Sequence, residues 1–355
     1  VRQSLIEEKS GPAEDFEVVH ARILRFFPEL VEELGGDLRD LLQQSGLEPG
    51  ILCQGEPEVS YRQMVHLIEL AATELRCSDL GMRLASLQSG SMFGPLGLAM
   101  RNSRTFGDAL DYVCKHSYAH SLAAHVWLRR FPAVKHVFVG HDILLDRIPN
   151  KSQAMEQLLL VGHLAAMELT GGRARVRRVH FRHQPVSPLP VYRRYFGCDV
   201  HFGQNEDGVT FSERDLICPI IDPDAKAYEA VTAFIDREFT RHHPPLHAQT
   251  RGLIMQRVWS GECSNERIAA DLNLHPRTLH RRLKAEGTSF QQIKDEVRGD
   301  IMLYYLQQTD LDFAAISEKL GFAEQSVMTR SCNRWFAASP TRVRAGQRSS
   351  TELDR

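Results

Sequence analysis

Apolar positions along this chain change their spacing twice. From 16 to about 45, Ile23, Leu24, Phe27, Leu30, Val31, Leu34, Leu38, Leu41 and Leu42 recur three and four residues apart, which predicts helices broken at Gly35-Gly36. Segments 61–75, 80–87, 96–100 and 105–118 keep that spacing, so the first 120 residues are expected to be mainly helical. The period then drops to two. Segments 124–131 and 135–140 alternate and are rich in β-branched and aromatic residues, predicting two strands with Pro132 between them. A strongly apolar helix over 153–169 stops at Gly171-Gly172, and strands at 176–181, 199–202 and 209–211 with a short helix at 191–196 complete a small mixed sheet. Residues 16–216 are therefore expected to form one mixed α/β domain. Next comes Cys218-Pro219-Ile220-Ile221-Asp222-Pro223, a linker, and a connecting helix over 225–239 that Pro244-Pro245 prevents from continuing, so 217–245 joins two parts.

From 246 to 346 the helical spacing returns without interruption by strands, and this part is expected to be all-α. Residues 264–287 read as a short helix capped by Ser264 or Asn265, a turn at Asn273-Leu274-His275-Pro276, and a second helix with Pro276 near its first position. Leu279 and Leu283 face inward, leaving Arg277, His280, Arg281 and Lys284 outward. The grammar repeats over 312–336. Asp312 caps a helix with Ile316 and Leu320 inward, Gly321 stands just past its end, and a following helix from about 323 turns Gln325, Ser326, Thr329 and Arg330 outward. Between the units, 289–309 reads as one long helix opened by a capping box of Ser289 and Gln292. Ser339-Pro340 starts a last short helix, and past Gln347 a polar, disordered tail is expected. Two short helices in which the second exposes long donors is how a helix-turn-helix fills a major groove.

Charge sharpens this division. The chain carries a net charge of −2. From 246 to 348, 15 Lys and Arg stand against 11 Asp and Glu, about +4, which leaves about −6 elsewhere. Such asymmetry suits one nucleic-acid domain beside a domain with another task. Seven scattered cysteines without a C-x-x-C pair point to a reducing, cytoplasmic setting. No apolar run reaches membrane-spanning length. No nucleophile elbow, phosphate loop, dinucleotide fingerprint or His-Glu-x-x-His stands in the chain, and the expectation is a non-enzyme needing no cofactor.

The runs LHPRTLHRRLKAEGTSF, AAISEKLGF and NRWFAASPTRVR resemble the signature of AraC/XylS-type bacterial transcription regulators, over about a hundred residues. That resemblance implies that Arg277, His280 and Arg281 of the first unit, and Gln325, Ser326 and Arg330 of the second, read double-stranded DNA. Thr278, Lys284 and Thr329, beside that face, fit phosphate positioning. Met328, Cys332 and Ala337 depart from the family's usual residues and predict softer packing in the second unit. The order of elements over 16–216 is similar to the arabinose-binding-like N-terminal domain of one branch of the family. It implies a sensor or dimerisation domain, a homodimer, a small-molecule effector and RNA polymerase as a further partner.

Other candidates are weighed against plainer roles. Tyr112, His116, Tyr118 and His120, polar aromatics beside an apolar helix face, are the choice for an effector pocket. His116 with His120, and His242, His243 and His247, lack a third ligand at suitable spacing, so no metal is expected. Arg173, Arg175, Arg177 and Arg178 read as a charged strand edge that resists pairing. Two alternatives stay open: an N-terminal domain that only oligomerises or binds proteins, and, more remotely, an enzyme fused to a DNA-binding domain.

Overall fold

The computed structural model describes residues 15–53, 57–148, 150–239, 244–260 and 262–351; His242 and His243 lie outside them. The chain opens with β1 (Val18–His20), then α1 (Phe27–Glu33) and α2 (Leu38–Gln44), whose first N–H groups are taken by the Asp37 carboxylate. β2 (Glu58–Ser60) returns to pair antiparallel with β1, Val59 opposite Val19. So the first 120 residues are not wholly helical. Strands of three residues are too short for a two-residue period to show in the sequence. Four helices follow: α3 (Tyr61–Glu74), α4 (Leu80–Leu87), α5 (Pro95–Arg101) and α6 (Phe106–His116). A complete capping box of Thr105 and Asp108 starts α6.

The sheet is built from β3 (Ala124–Phe131), β4 (His136–Ile143), β5 (Arg178–His180), β6 (Asp199–His201) and β7 (Gly208–Ser212), in the order β3-β4-β7-β5-β6. Only β5 and β6 run parallel. The edges are thus β3 and β6. The expected charged edge at 173–178 is corrected by this order, since β5 lies between β7 and β6. The arginines leading into it bond neighbouring groups instead: Arg173 donates to the Thr170 and Pro219 carbonyls, Arg175 to the Gly172 carbonyl, and Arg177 to the Asp215 carboxylate at 2.8 Å.

Between β4 and β5 runs α7 (Ser152–Thr170), ended by Gly171 in the left-handed region. It is buried along most of its length, yet carries Gln153, Glu156 and Gln157 inside. Each has a partner, as buried polar groups require. Gln153 accepts from the Gly81 N–H, Gln157 donates to the Ile23 carbonyl and Gln88, and Glu156 accepts from the Tyr192 hydroxyl at 2.6 Å. Burial pushes the Glu156 carboxyl up to about 8. Tyr192 belongs to α8 (Leu189–Phe196), and α9 (Glu213–Leu216) closes this region.

The connecting helix α10 (Ala225–Phe239) lies against α5 and the turn after α6, where Val231 and Ile235 meet Ala99 and Ala119. Beyond it the chain is all helix: α11 (Leu246–Arg257), α12 (Asn265–Asp271), α13 (Pro276–Ala285), α14 (Phe290–Gln308), α15 (Phe313–Lys319), α16 (Gln325–Phe336) and α17 (Pro340–Thr351). The fold is therefore a mixed α/β N-terminal region followed by a helical C-terminal one. The last helix continues past Gln347, where a polar tail was expected. Among the described residues no helix is long and apolar enough to cross a membrane.

Candidate nucleic-acid interface

Two small cores are strung along α14. Ile293 and Val297 of its first half pack with Ile254, Ile268, Leu279 and Leu283, while Met302, Tyr305 and Leu306 of its second half pack with Ile316, Leu320, Met328 and Cys332. Each core holds one helix pair, α12 with α13 and α15 with α16. Met328 and Cys332, read as soft spots, are fully buried. Ala337 is the more costly departure. It ends α16 in the left-handed region at φ +51°, a conformation that suits glycine.

The two turns are built alike. In the first, Asn273 sits at φ +54°, and the next N–H, from Leu274, reaches back to the Ala269 carbonyl at 2.8 Å. In the second, Gly321 sits at φ +61°, and the Phe322 N–H reaches the Ser317 carbonyl at 3.0 Å. Both are the paired backbone bonds that stop a helix and swing the chain into a new direction. Ser264 caps α12 and Asp312 caps α15 through side-chain oxygens, and His275 Nδ1 accepts from the Arg277 N–H at the start of α13. The expected box on α14 is only half formed. Ser289 accepts from the Gln292 N–H, but the Gln292 side chain turns away to Glu296.

The outward faces then fall into place. Arg277, His280, Arg281 and Lys284 are exposed on α13, with no bond from their side chains among the described residues, and Thr278 is half-buried beside them. Arg282, also exposed, was not singled out from sequence, although its place next to Arg281 in an arginine pair was the available signal. On α16, Gln325, Ser326 and Arg330 are exposed, and Thr329 is half-buried. Ser326 donates to Glu324 and Thr329 to the Gln325 carbonyl, whereas Arg330 is unengaged. Arg334, a turn further on, is held by Asp295 at 2.9 Å. At 1.5 Å per residue α14 spans about 28 Å, close to the ~34 Å between major-groove faces one turn apart.

A family described as the arabinose-binding domain of AraC transcription regulator, N-terminal, matches residues 35–220, and a helix-turn-helix domain family matches residues 268–346. The HTH-type transcriptional regulator VirS of Mycobacterium tuberculosis is 32% identical, over 92% of this chain and 96% of its own. The chain belongs to the AraC family of transcription regulators. A second M. tuberculosis relative, named an uncharacterized HTH-type transcriptional regulator, is 36% identical over 93% of this chain and 96% of its own. The ornithine utilization regulator of Pseudomonas aeruginosa is 25% identical over 89% of this chain and 93% of its own.

In this AraC-family chain, the four aromatics chosen for an effector pocket divide between two places. Tyr112 and His116 stack at 4.0 Å, and His116 Nδ1 bonds the Tyr112 carbonyl oxygen at 2.9 Å. With Tyr118 they form a cluster facing Tyr228 and Asp236 of the connecting helix. His120 alone turns to the interior. It lines a cavity of about 100 Å³ inside the N-terminal part, with His141 across from the helices.

A second cavity, also about 100 Å³, lies where the two parts meet, lined by Lys151, Arg182 and Asp207 on one side and Arg251, Asp300 and Tyr304 on the other. Around it run direct bonds. The Gln184 N–H donates to the Tyr304 hydroxyl at 2.6 Å, Gln256 donates to Asp142 at 3.1 Å, and Lys319 of α15 donates to the Gly203 carbonyl at 3.3 Å. Asp142, 1% exposed, also accepts from Trp127 and Arg182. The second helix-turn-helix unit is thereby in contact with the N-terminal part.

Proposed function

We propose that this regulator binds specific operator sequences as a homodimer in the cytoplasm, with α13 and α16 of each chain entering successive major-groove segments. Arg277, His280 and Arg281 read bases from α13 and Gln325, Ser326 and Arg330 from α16, while Thr278, Lys284 and Thr329 position phosphates. The observation carrying this reading is the exposed cationic face of α13, matched by the exposed polar face of α16 with Arg330, on two units that share α14. Residues 16–216 would form the sensor and dimerisation domain, 217–245 the link and 246–346 the DNA-binding domain. Support for the dimer is the unpaired edge strand β3, where Phe131 and the neighbouring Val134 stand exposed. A small-molecule effector in the N-terminal part would act by population shift, favouring one placement of the two units. The Lys319 and Tyr304 contacts give such a shift a route to α14 and α15.

Arg281→Ala is expected to weaken operator binding by on the order of 1–3 kcal/mol and to relax preference at one base position, measured by titration against a library of operator variants. Unchanged affinity and unchanged preference would remove Arg281 from the reading face.

A further inference from the structure

We propose that the cavity inside the N-terminal part is a binding site for a small, uncharged, largely apolar molecule bearing one hydroxyl or similar hydrogen-bonding group, and not for a sugar. This rests on the effector reading above and gives that effector a chemical class and a place. Its walls are Leu96 and Met100 of α5, Val113 of α6, Leu158 of α7, and Val209 and Phe211 of β7, which offer only apolar contact. Among the described residues no charged side chain lines it. A free acid or amine would thus enter without a counter-charge, at a cost that burial makes prohibitive. A pentose, with a hydroxyl on nearly every carbon, would leave most of them unpaired against these walls.

Three polar residues break the apolar lining, Ser117, His120 and His141. His120 and His141 both border the cavity, and the Nε2 of each is buried without a hydrogen-bond partner among the described residues. Burial pushes His120 down to about 3 and His141 to about 4, so both rings are neutral and each can donate from one nitrogen and accept at the other. Buried unpaired groups are costly, and a single ligand hydroxyl between such rings would relieve that cost. At about 100 Å³ the space is of the order that holds one aromatic ring.

An independent feature keeps the space open. Gly162 lies in the middle of the 19-residue α7 and lines the cavity, and a Cβ built on it would meet nothing within 4 Å. A mid-helix glycine weakens a helix, and here no close packing requires one. The reverse side of the same wall faces the linker. Leu96, Met100 and Val113 pack on Ile220, and Ala99 and Ala119 pack on Val231 and Ile235 of α10. A ligand pressing on α5 and α6 therefore acts on the elements that hold the connection to the DNA-binding helices.

The test uses the full chain with benzyl alcohol, phenol, cyclohexanol and arabinose as probes, read by thermal unfolding and by binding to operator DNA. At least one of the three alcohols is expected to raise Tm by several degrees and to saturate. Gly162→Ala should shrink the shift, and Gly162→Leu, which fills the cavity, should abolish it without lowering the melting temperature of the free protein. Should Gly162→Leu fail to fold, the graded loss in Gly162→Ala still decides. Saturable stabilisation by arabinose that disappears in Gly162→Ala would overturn the proposal, as would the absence of a saturable shift with all three alcohols. A saturable, Gly162-sensitive shift that leaves DNA affinity unchanged upholds the site and removes effector control through it. DNA affinity that responds to an alcohol equally in wild type and Gly162→Leu places the effector elsewhere and also overturns the assignment.

Discussion

Single residues decide where this fold stores strain and unbalanced charge. Ala337 holds φ +51° at the end of α16. Because the left-handed region costs an L-residue about 1–2 kcal/mol, Ala337→Gly is expected to raise the stability of the C-terminal helices by ~1 kcal/mol, less the extra chain entropy of glycine. A urea midpoint no higher than wild type would show that the neighbouring packing already compensates. Glu156 presents the opposite imbalance. Its carboxyl is held protonated up to about pH 8 by burial. Below about pH 4 the group is protonated in both states, so it contributes no pH dependence. Between these limits the unfolded chain has released the proton and the folded chain keeps it, so stability falls as pH rises. Glu156→Gln keeps an oxygen for the Tyr192 hydroxyl and removes that slope. It is expected to stabilise by on the order of 1–3 kcal/mol at pH 8 and by almost nothing at pH 4, read from denaturation curves at both pH values. At this scale, the local devices were the legible ones. Ser264, Asp312 and Pro276 act over three or four residues, within the reach of a sequence window. Glu156 meets Tyr192 across 36 residues, and nothing near it in sequence announces a partner.

Elements were read well when their own pattern carried them. The connecting helix α10 was expected over 225–239 and lies at Ala225–Phe239, because its period runs unbroken between a linker and two prolines. The short ribbon of β1 and β2 was missed, and β5 was misplaced to an edge, because neighbours in a sheet are chosen by long-range pairing. The two helix-turn-helix turns sit between these extremes. Both have a left-handed residue, but only Gly321 is also pressed against backbone, where an added Cβ would lie 2.5 Å from the Val258 carbonyl oxygen. Gly287, at φ +76° after α13, has the same conformational need and open space around it. Gly287→Ala is therefore expected to cost about 1–2 kcal/mol from conformation alone. Gly321→Ala should cost clearly more, because the clash with the Val258 carbonyl at the end of α11 is added. Equal losses in the two variants, measured by urea unfolding, would mean that the second unit can shift away from Val258 freely.

At the scale of the whole molecule, the sequence divides the chain correctly in kind, a mixed α/β region and a helical one, but is silent on how the two meet. The residues that join them, Gln184 with Tyr304 and Asp142 with Gln256, lie more than a hundred positions apart. Tyr304 had no marked role in the pattern of α14, since a tyrosine on a half-buried face is usual. In the structure its hydroxyl accepts the Gln184 N–H, while neighbouring walls of the cavity hold Arg182 with Asp207 and Arg251 with Asp300. Tyr304→Phe keeps the ring and leaves a partly buried N–H without its acceptor, a loss of about 1–3 kcal/mol that falls on the junction. Amide exchange at Gln184 is then expected to accelerate by about fivefold to a hundredfold, since each 1.4 kcal/mol is a factor of ten. Exchange in α12 and α13, whose core of Ile268, Leu279 and Leu283 does not touch Tyr304, should stay as it was. Acceleration spread equally over both would make Tyr304 a support of the helical core. An unchanged rate at Gln184 would mean that the two parts are held together by the remaining bonds at Asp142 and Gly203.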